Sequence, residues 1–232
     1  MAKSKIIKDL ANSTIDIHTA LKRAKVLFSE LNNNELLHWV ENELVGYKKY
    51  EDLPDYRKLE GDIFGSYLEG FSHRFMRYTN ASIPLGNMSE EIKKGILTVY
   101  IFDGVEALKN LALQSATKEG HLSKNINADA LCKINECNNN PFMKIDSAYV
   151  NIGSHSITNI ISIIENRLLD ALILLEKEFG CLDELDLSDS NKTEHEINEI
   201  AQRIAIIIYN DNSIKIGDGN KITHSDIISD AQ

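Results

Sequence analysis

The chain has 232 residues, 43% of them hydrophobic and 26% charged, a length for one domain or one and a half. Twelve glycines against three prolines exclude collagenous, Pro-rich and wholly disordered chains. The formal net charge of −10, from 25 Lys+Arg and 35 Asp+Glu, argues against a protein that coats duplex nucleic acid by neutralising its phosphates. That charge is local: residues 165–200 hold eleven acids and three bases, while residues 1–164 hold 20 acids and 19 bases. The first 164 residues are electrically balanced, so net charge says nothing against an anion site there.

From Ser4 to Leu31 the apolar residues Ile6, Ile7, Leu10, Ile15, Ile17, Leu21, Val26, Leu27 and Phe28 recur at mostly three- and four-residue steps. This predicts an amphipathic helix, with Asn12-Ser13-Thr14 as the place where it can break in two. Asn32-Asn33-Asn34 supplies a turn and an N-cap for a second helix carrying Leu36, Leu37, Trp39, Val40 and Leu44, with Gly46 just past its end. The opening is therefore a helical hairpin. After Pro54, Tyr56 to Tyr78 alternates short apolar and polar stretches punctuated by Gly61, Gly65 and Gly70, the texture of strands and tight turns. Gly95 to Phe102 reads as a strand rich in β-branched and aromatic residues, and Asp103 to Ser115 as a helix capped by Asp103. Residues 118–145 show no clear period apart from a loop at Asn138-Asn-Asn-Pro141, and Ala148 to Ile152 is a further strand.

Ile157, Ile160, Ile161, Ile164, Leu168, Leu169, Leu172, Leu175 and Phe179 hold one apolar face for about six turns, ended by Gly180. Cys181 to Lys192 reads as an exposed acidic linker kept extended by its own charge. Thr193-Glu-His-Glu196 matches a capping box for a short helix to about Arg203. Beyond it, Ile204 to Tyr209 is β-prone, and residues 213–222 read as strand, Gly-Asp-Gly-Asn turn and strand. The fold class is α+β: an N-terminal helical hairpin and a long C-terminal helix packed with a small sheet, followed by a short β-rich C-terminal tail. The divisions are a body at 1–180, a linker at 181–192 and a helix-plus-strand tail at 193–232. Because an isolated hairpin is marginal in water, the tail needs the body or other copies, which makes Ile206, Ile208, Ile214, Ile216 and Ile222 candidate oligomerisation residues.

Candidate chemistry is sparse. Three cysteines, an odd number without paired spacing, suit a reducing cytoplasm. Charges at Lys3, Lys5, Lys8 and Asp9 break up any signal-peptide core, and the apolar windows are interrupted or too short to span a bilayer. None of the seven histidines stands three to five residues from another or from a cysteine, so no metal is expected. Gly217-Asp-Gly-Asn220 lacks the Lys-Ser/Thr of a phosphate-binding loop, the Gly61 to Gly70 spacing is not that of a dinucleotide fingerprint, and Gly-x-Ser-x-Gly is missing. No cofactor is expected, and no spacing identifies an enzyme. Basic and aromatic residues interleave in one stretch, where Arg57, Arg74 and Arg77 accompany His73, Tyr67 and Tyr78. These three arginines are the candidate ligand-binding residues, their composition suiting stacking and phosphate contacts, with local ion pairs as the ordinary alternative.

Four motifs carry a resemblance. Trp39-Val-Glu-Asn-Glu43-Leu44-Val-Gly46-Tyr47, then Leu53-Pro54-Asp55-Tyr56-Arg57, Ser82-Ile83-Pro84-Leu85, and Ile164-Glu-Asn-Arg167-Leu-Leu-Asp170 with Leu174-Leu-Glu176-Lys-Glu178-Phe179 resemble, in order across about 4–180, the AbiTii domain of bacterial abortive-infection proteins. The resemblance implies anti-phage defence, in which infected cells stop growing or die before phage matures. It brings no catalytic residues. As residue types the motifs read as structural: Trp39, Leu44, Tyr47 and Tyr56 suit a buried helix-to-sheet junction, and Arg57 a bridge to a carboxylate or carbonyl. The expected function is a non-enzymatic sensing or adaptor module that self-associates or binds a partner through its tail. Expected partners are further copies of the chain and a phage-derived trigger or defence protein. A nucleotide or nucleic acid is not indicated by charge, and no membrane is expected. Two alternatives stay open: a body that is itself a toxin or a nucleotide- or nucleic-acid-processing effector, and a phage-borne relative that blocks host defence.

Overall fold

The computed structural model describes residues 3–71, 74–117, 121–187, 192–209, 214–216 and 220–222. The first half runs α1 (Lys5–Ala11), α2 (Ile17–Ser29), α3 (Asn34–Val45), a 3-10 turn (Asp55–Arg57), β1 (Lys58–Glu60), β2 (Asp62–Phe71), β3 (Arg74–Ser82), α4 (Glu90–Leu97) and β4 (Thr98–Tyr100). There follow α5 (Val105–Thr117), β5 (His121–Asn125), α6 (Ala128–Cys137), β6 (Met143–Gly153), α7 (Ser154–Phe179), α8 (Glu194–Tyr209), β7 (Ile214–Ile216) and β8 (Asn220–Ile222). The class is α+β. The chain divides into two compact units, residues 1–46 with 162–232, and residues 47–161.

In the first unit the long N-terminal helix is interrupted where Asn12-Ser13-Thr14 stands, Ser13 taking a positive φ of 53°. Asp16 then caps α2 by accepting from the Thr19 amide at 3.1 Å, and Asn33 caps α3 through the Leu36 amide at 3.1 Å. Gly46, with φ of 106°, ends α3 in a conformation that side chains disfavour. Ile17, Ala20, Leu21, Ala24, Leu27 and Phe28 of α2 recur at helical spacing and are all buried, as are Leu36, Trp39 and Val40 of α3 and Leu168, Leu172 and Leu175 of α7.

Two expectations fail in this unit. Ile204 to Tyr209 is no strand but the last turns of α8. Thr193 and Glu196 form the reciprocal capping box, the Thr193 amide donating to Glu196 Oε2 at 2.8 Å and the Glu196 amide to Thr193 Oγ1 at 3.4 Å. The helix runs on because Ile200, Ala201, Ile204 and Ile208 share one buried face. Helix propensity penalises an isoleucine by a few tenths of a kcal/mol, whereas burying its side chain contributes about 1.5–3 kcal/mol, so tertiary packing overrides local β preference. The acidic stretch after Gly180 is likewise no extended linker in its described part. Leu182 and Leu187 are buried, the Leu182 amide donates to Ser4 Oγ at 2.9 Å, and the Leu187 amide to Glu30 Oε2 at 2.6 Å. The last four residues before Lys192 lie outside the described residues.

Ser4 and Glu176 fasten the N-terminus to α7. Glu176 accepts from Lys3 Nζ at 2.6 Å, the Ser4 amide at 2.5 Å and Ser4 Oγ at 2.6 Å. Burial by itself raises the pKa of this carboxyl, but the hydrogen bonds from Lys3 and Ser4 outweigh it and hold the pKa at about 2.

In the second unit β3, β2, β6 and β5 lie side by side in one antiparallel sheet, and β1 pairs with β4 in a separate ribbon. Ile145, Ala148, Val150 and Ile152 of β6 are buried, the last three at period two within the strand expected at Ala148 to Ile152. The strand expected at Gly95 to Phe102 is shorter: Ser89 caps α4 by accepting from the Ile92 amide at 3.4 Å, with Glu90 and Glu91 in the first turn. The helix consumes residues up to Leu97, leaving Thr98–Tyr100 as strand. The stretch without clear period resolves into β5 and α6, the latter capped by Asn127 through the Ala130 amide at 2.8 Å. In the tail, β7 and β8 pair antiparallel, Ile214 opposite Ile222.

The depressed pKa of Glu176 means that its bonds stabilise the protein fully above about pH 4.5 and that this contribution is lost as pH falls towards 2. With Lys3 half in solvent, screening reduces the effect to about 2 kcal/mol at neutral pH. Thermal melts of wild type and Glu176→Gln are expected to differ by several degrees at pH 7 and by about half as much at pH 3; a gap constant with pH would refute the assignment.

Candidate recognition surface

The three arginines singled out by composition do not come together. Arg57 is completely buried; its Nη1 donates to the carbonyls of Asp103 at 2.5 Å and Ile101 at 3.3 Å, and its guanidinium lies 5.0 Å over the Tyr47 ring. It holds the β1–β4 ribbon from inside and presents nothing to a ligand. Arg74 and Arg77 stand on the outer strand β3, Arg77 paired with Asp146 at 2.9 Å. Tyr67 and Tyr78 stack on each other with centroids 4.8 Å apart. His73 lies outside the described residues. Of the candidate oligomerisation residues, Ile206 is exposed on α8 while Ile208 is buried, so Ile208 is a core residue. Ile214 and Ile216 belong to β7 and Ile222 to β8.

What the structure does assemble is an aromatic tip on the second unit. Gly70 pairs with Phe75 and Leu68 with Arg77 across the β2–β3 hairpin, and Leu68 also pairs with Lys144 of β6. Phe75, Arg77, Leu68 and Lys144 therefore share one face. The loop before β6 is fastened to the end of β2. The Gly70 amide donates to the Phe142 carbonyl at 3.0 Å, Asn140 Nδ2 donates to Glu69 Oε1 at 2.9 Å, and the Phe142 amide donates to Asn140 Oδ1 at 3.1 Å. Phe142 meets Phe71 edge to face at 5.2 Å. Phe71 is 72% exposed, Phe75 62%, Met76 63% and Phe142 48%. Between the walls of Phe75 and Phe142 lies a slot of about 280 Å³, floored by Leu68 and Gly70 with Lys144 at its edge. Gly70 is required there, since a Cβ would lie 2.0 Å from the Arg74 carbonyl oxygen. The sequence marked Asn138-Asn-Asn-Pro141 as a loop but carried no signal that Phe142 returns to Phe71.

Other features carry less chemistry. A shallower cleft of about 390 Å³ is lined by Asp62, Ile63, Ser82, Gly86 and Lys93, with Lys93 already paired to Glu90 at 2.8 Å. Burial lowers the pKa of Lys124, whose Nζ donates to the Thr98 and Ile96 carbonyls at 2.8 and 3.3 Å and so ties β5 to the end of α4. Within either unit, the described residues bring no three histidine, cysteine or carboxylate side chains together at metal-binding spacing. No described helix is long and apolar enough to cross a membrane.

Removing Arg57 leaves buried carbonyls without a donor, at about 1–3 kcal/mol each. Arg57→Met is expected to lower the unfolding free energy by about 3 kcal/mol or more in urea titrations, against at most about 1 kcal/mol for Arg74→Ala or Arg77→Ala; equal losses would show that Arg57 is not the internal pin.

The AbiTii family model matches residues 4–201, a span that runs through both units and beyond Gly180 into α8. No curated protein and no solved structure matches the chain.

Proposed function

The chain belongs to the AbiTii family of bacterial abortive-infection, anti-phage defence proteins, and on that premise we propose that it serves as a non-enzymatic recognition module whose partner surface is the β2–β3 tip. The observation that carries this reading is the cluster of Phe71, Phe75 and Phe142 around the slot, left in water. Contiguous apolar surface of this kind marks interaction sites, and each phenylalanine covered by a partner contributes about 1.5–3 kcal/mol. The internal place of Arg57 supports the same reading, because it removes one of the three cations on which an effector site would draw.

The tail has a second part in the proposal. β7 and β8 are three residues each and pair with one another, too little to bury an apolar face alone. Ile214, Ile216 and Ile222 are accordingly the residues through which copies associate, with α8 staying part of the body.

In cells challenged with phage, Phe71→Ser/Phe75→Ser is expected to raise plaque counts at least tenfold over wild type while the purified variant keeps its melting temperature; protection equal to wild type would overturn the assignment of the tip. Purified protein incubated with DNA, RNA, NAD and nucleoside triphosphates is expected to turn over none of them, and turnover that co-elutes with the protein through successive chromatographic steps would overturn the non-enzymatic reading. Deleting residues 210–232 is expected to lower the mass seen by light scattering without unfolding α8; an unchanged mass would remove the tail from the proposal.

A further inference from the structure

Resting on the reading of the tip as the recognition surface, we infer what it recognises: an extended, acidic and apolar peptide segment of a partner protein, added to the sheet as a new strand along β3. β3 is the outer strand of its sheet, and every residue from Arg74 to Asn80 is exposed. Its outward backbone N–H and C=O groups therefore form a template for a further strand. Nine residues is long for an edge strand, and it carries no proline and no bulge beyond Tyr78 towards the tip. Strand addition supplies the main-chain bonds, and adjacent pockets supply selectivity.

Phe75 supplies the apolar contact. It is 62% exposed on β3, so a side chain of the added strand opposite it packs on its outer side, while the slot, floored by β2, lies behind it. The charges near β3 are unbalanced. Asp146 is engaged by Arg77 and Glu69 by Asn140, while Arg74 and Lys144 make no ion pair among the described residues. β3 itself has two arginines and no acid. A second copy of β3 would bring two more arginines to this edge and no acid to pair with them. Three cations at one tip, one of them already paired, are also too few for the continuous phosphate path that a nucleic-acid strand needs. A peptide with carboxylates satisfies both the charges and the edge.

Register turns this into a pattern. Residues 74 and 77 lie on opposite faces of β3, and Phe75 shares the slot face with Arg77. The incoming strand accordingly presents an acid opposite Arg74, an apolar residue opposite Phe75, any residue opposite Met76 and an acid opposite Arg77.

A yeast-displayed library of random 12-residue peptides, selected against the full chain and counter-selected against Arg74→Glu, tests this. Enriched peptides are expected to carry two acids three residues apart with an apolar residue next to one of them. They should bind the charge-reversed protein at least tenfold more weakly, and slow hydrogen exchange at β3 amides, a change that docking of side chains alone would not produce. Phe75→Ser, with exchange elsewhere in the sheet unchanged, should weaken the same peptides independently of charge. No enrichment, a consensus without acids, equal binding to the charge-reversed protein, unaltered β3 exchange, or displacement by oligo(dT) would each overturn the inference. Such a result alongside lost phage protection in the Phe71→Ser/Phe75→Ser variant would leave the tip as the recognition surface with a different partner; retained protection would bring down the recognition reading itself.

Discussion

A guanidinium taken completely out of water has to find acceptors, and the second unit is organised around the ones that Arg57 finds. Its donors reach the carbonyls of Ile101 and Asp103, its flat face lies on Tyr47, and its own carbonyl accepts from the Ile101 amide at 2.9 Å. The Tyr47 amide in turn donates to the Phe102 carbonyl at 2.7 Å. One side chain thus locks residues 47, 57 and 101–103 into a single arrangement, which sets β1 against β4 and the start of α5 beyond them. Such a charge tolerates no vacancy, because an unpaired buried cation costs several kcal/mol. The position is correspondingly specific to arginine, whose fork and face are both in use.

The first unit achieves closure differently. Its core is aliphatic and helical, and polar bonds act at its seams: Glu176 gathers the N-terminal Lys3 and Ser4, while Ser4 Oγ accepts the Leu182 amide and Asp183 accepts from the Lys5 amide at 2.6 Å. Residues 172 to 178 positions apart in sequence are joined by two carboxylates and one hydroxyl. The acidity of residues 165–200 is thereby partly structural, since Glu176 and Asp183 satisfy backbone amides at a helix N-terminus.

Against these closed interiors the tip of β2 and β3 stands out because its apolar residues are not covered. Gly70 lets β3 approach closely, Asn140 and the Phe142 carbonyl hold the far wall of the slot in place, and Lys144 puts a positive charge beside it.

The sequence by itself determined the elements whose signals are local: the break at Asn12-Ser13-Thr14, the caps at Asn33 and Thr193, the end of α3 at Gly46, the long apolar face of α7 and the strand at Ala148 to Ile152. Each follows from backbone sterics, capping bonds or periodicity within a few residues, and the family motifs lay in the same segments because Trp39, Tyr47 and Arg57 are core residues. Three matters only the tertiary structure decided. Ile204 to Tyr209 became helix because burial on one face outweighs β propensity. Leu182 and Leu187 drew an acidic stretch into the first unit, since covering two leucines outweighs modest charge repulsion between exposed acids. And Arg57 parted from Arg74 and Arg77, for composition shows that a cation is present, while the face of the chain it points to depends on carbonyls some 45 residues away in sequence and on which side of a sheet is left to water.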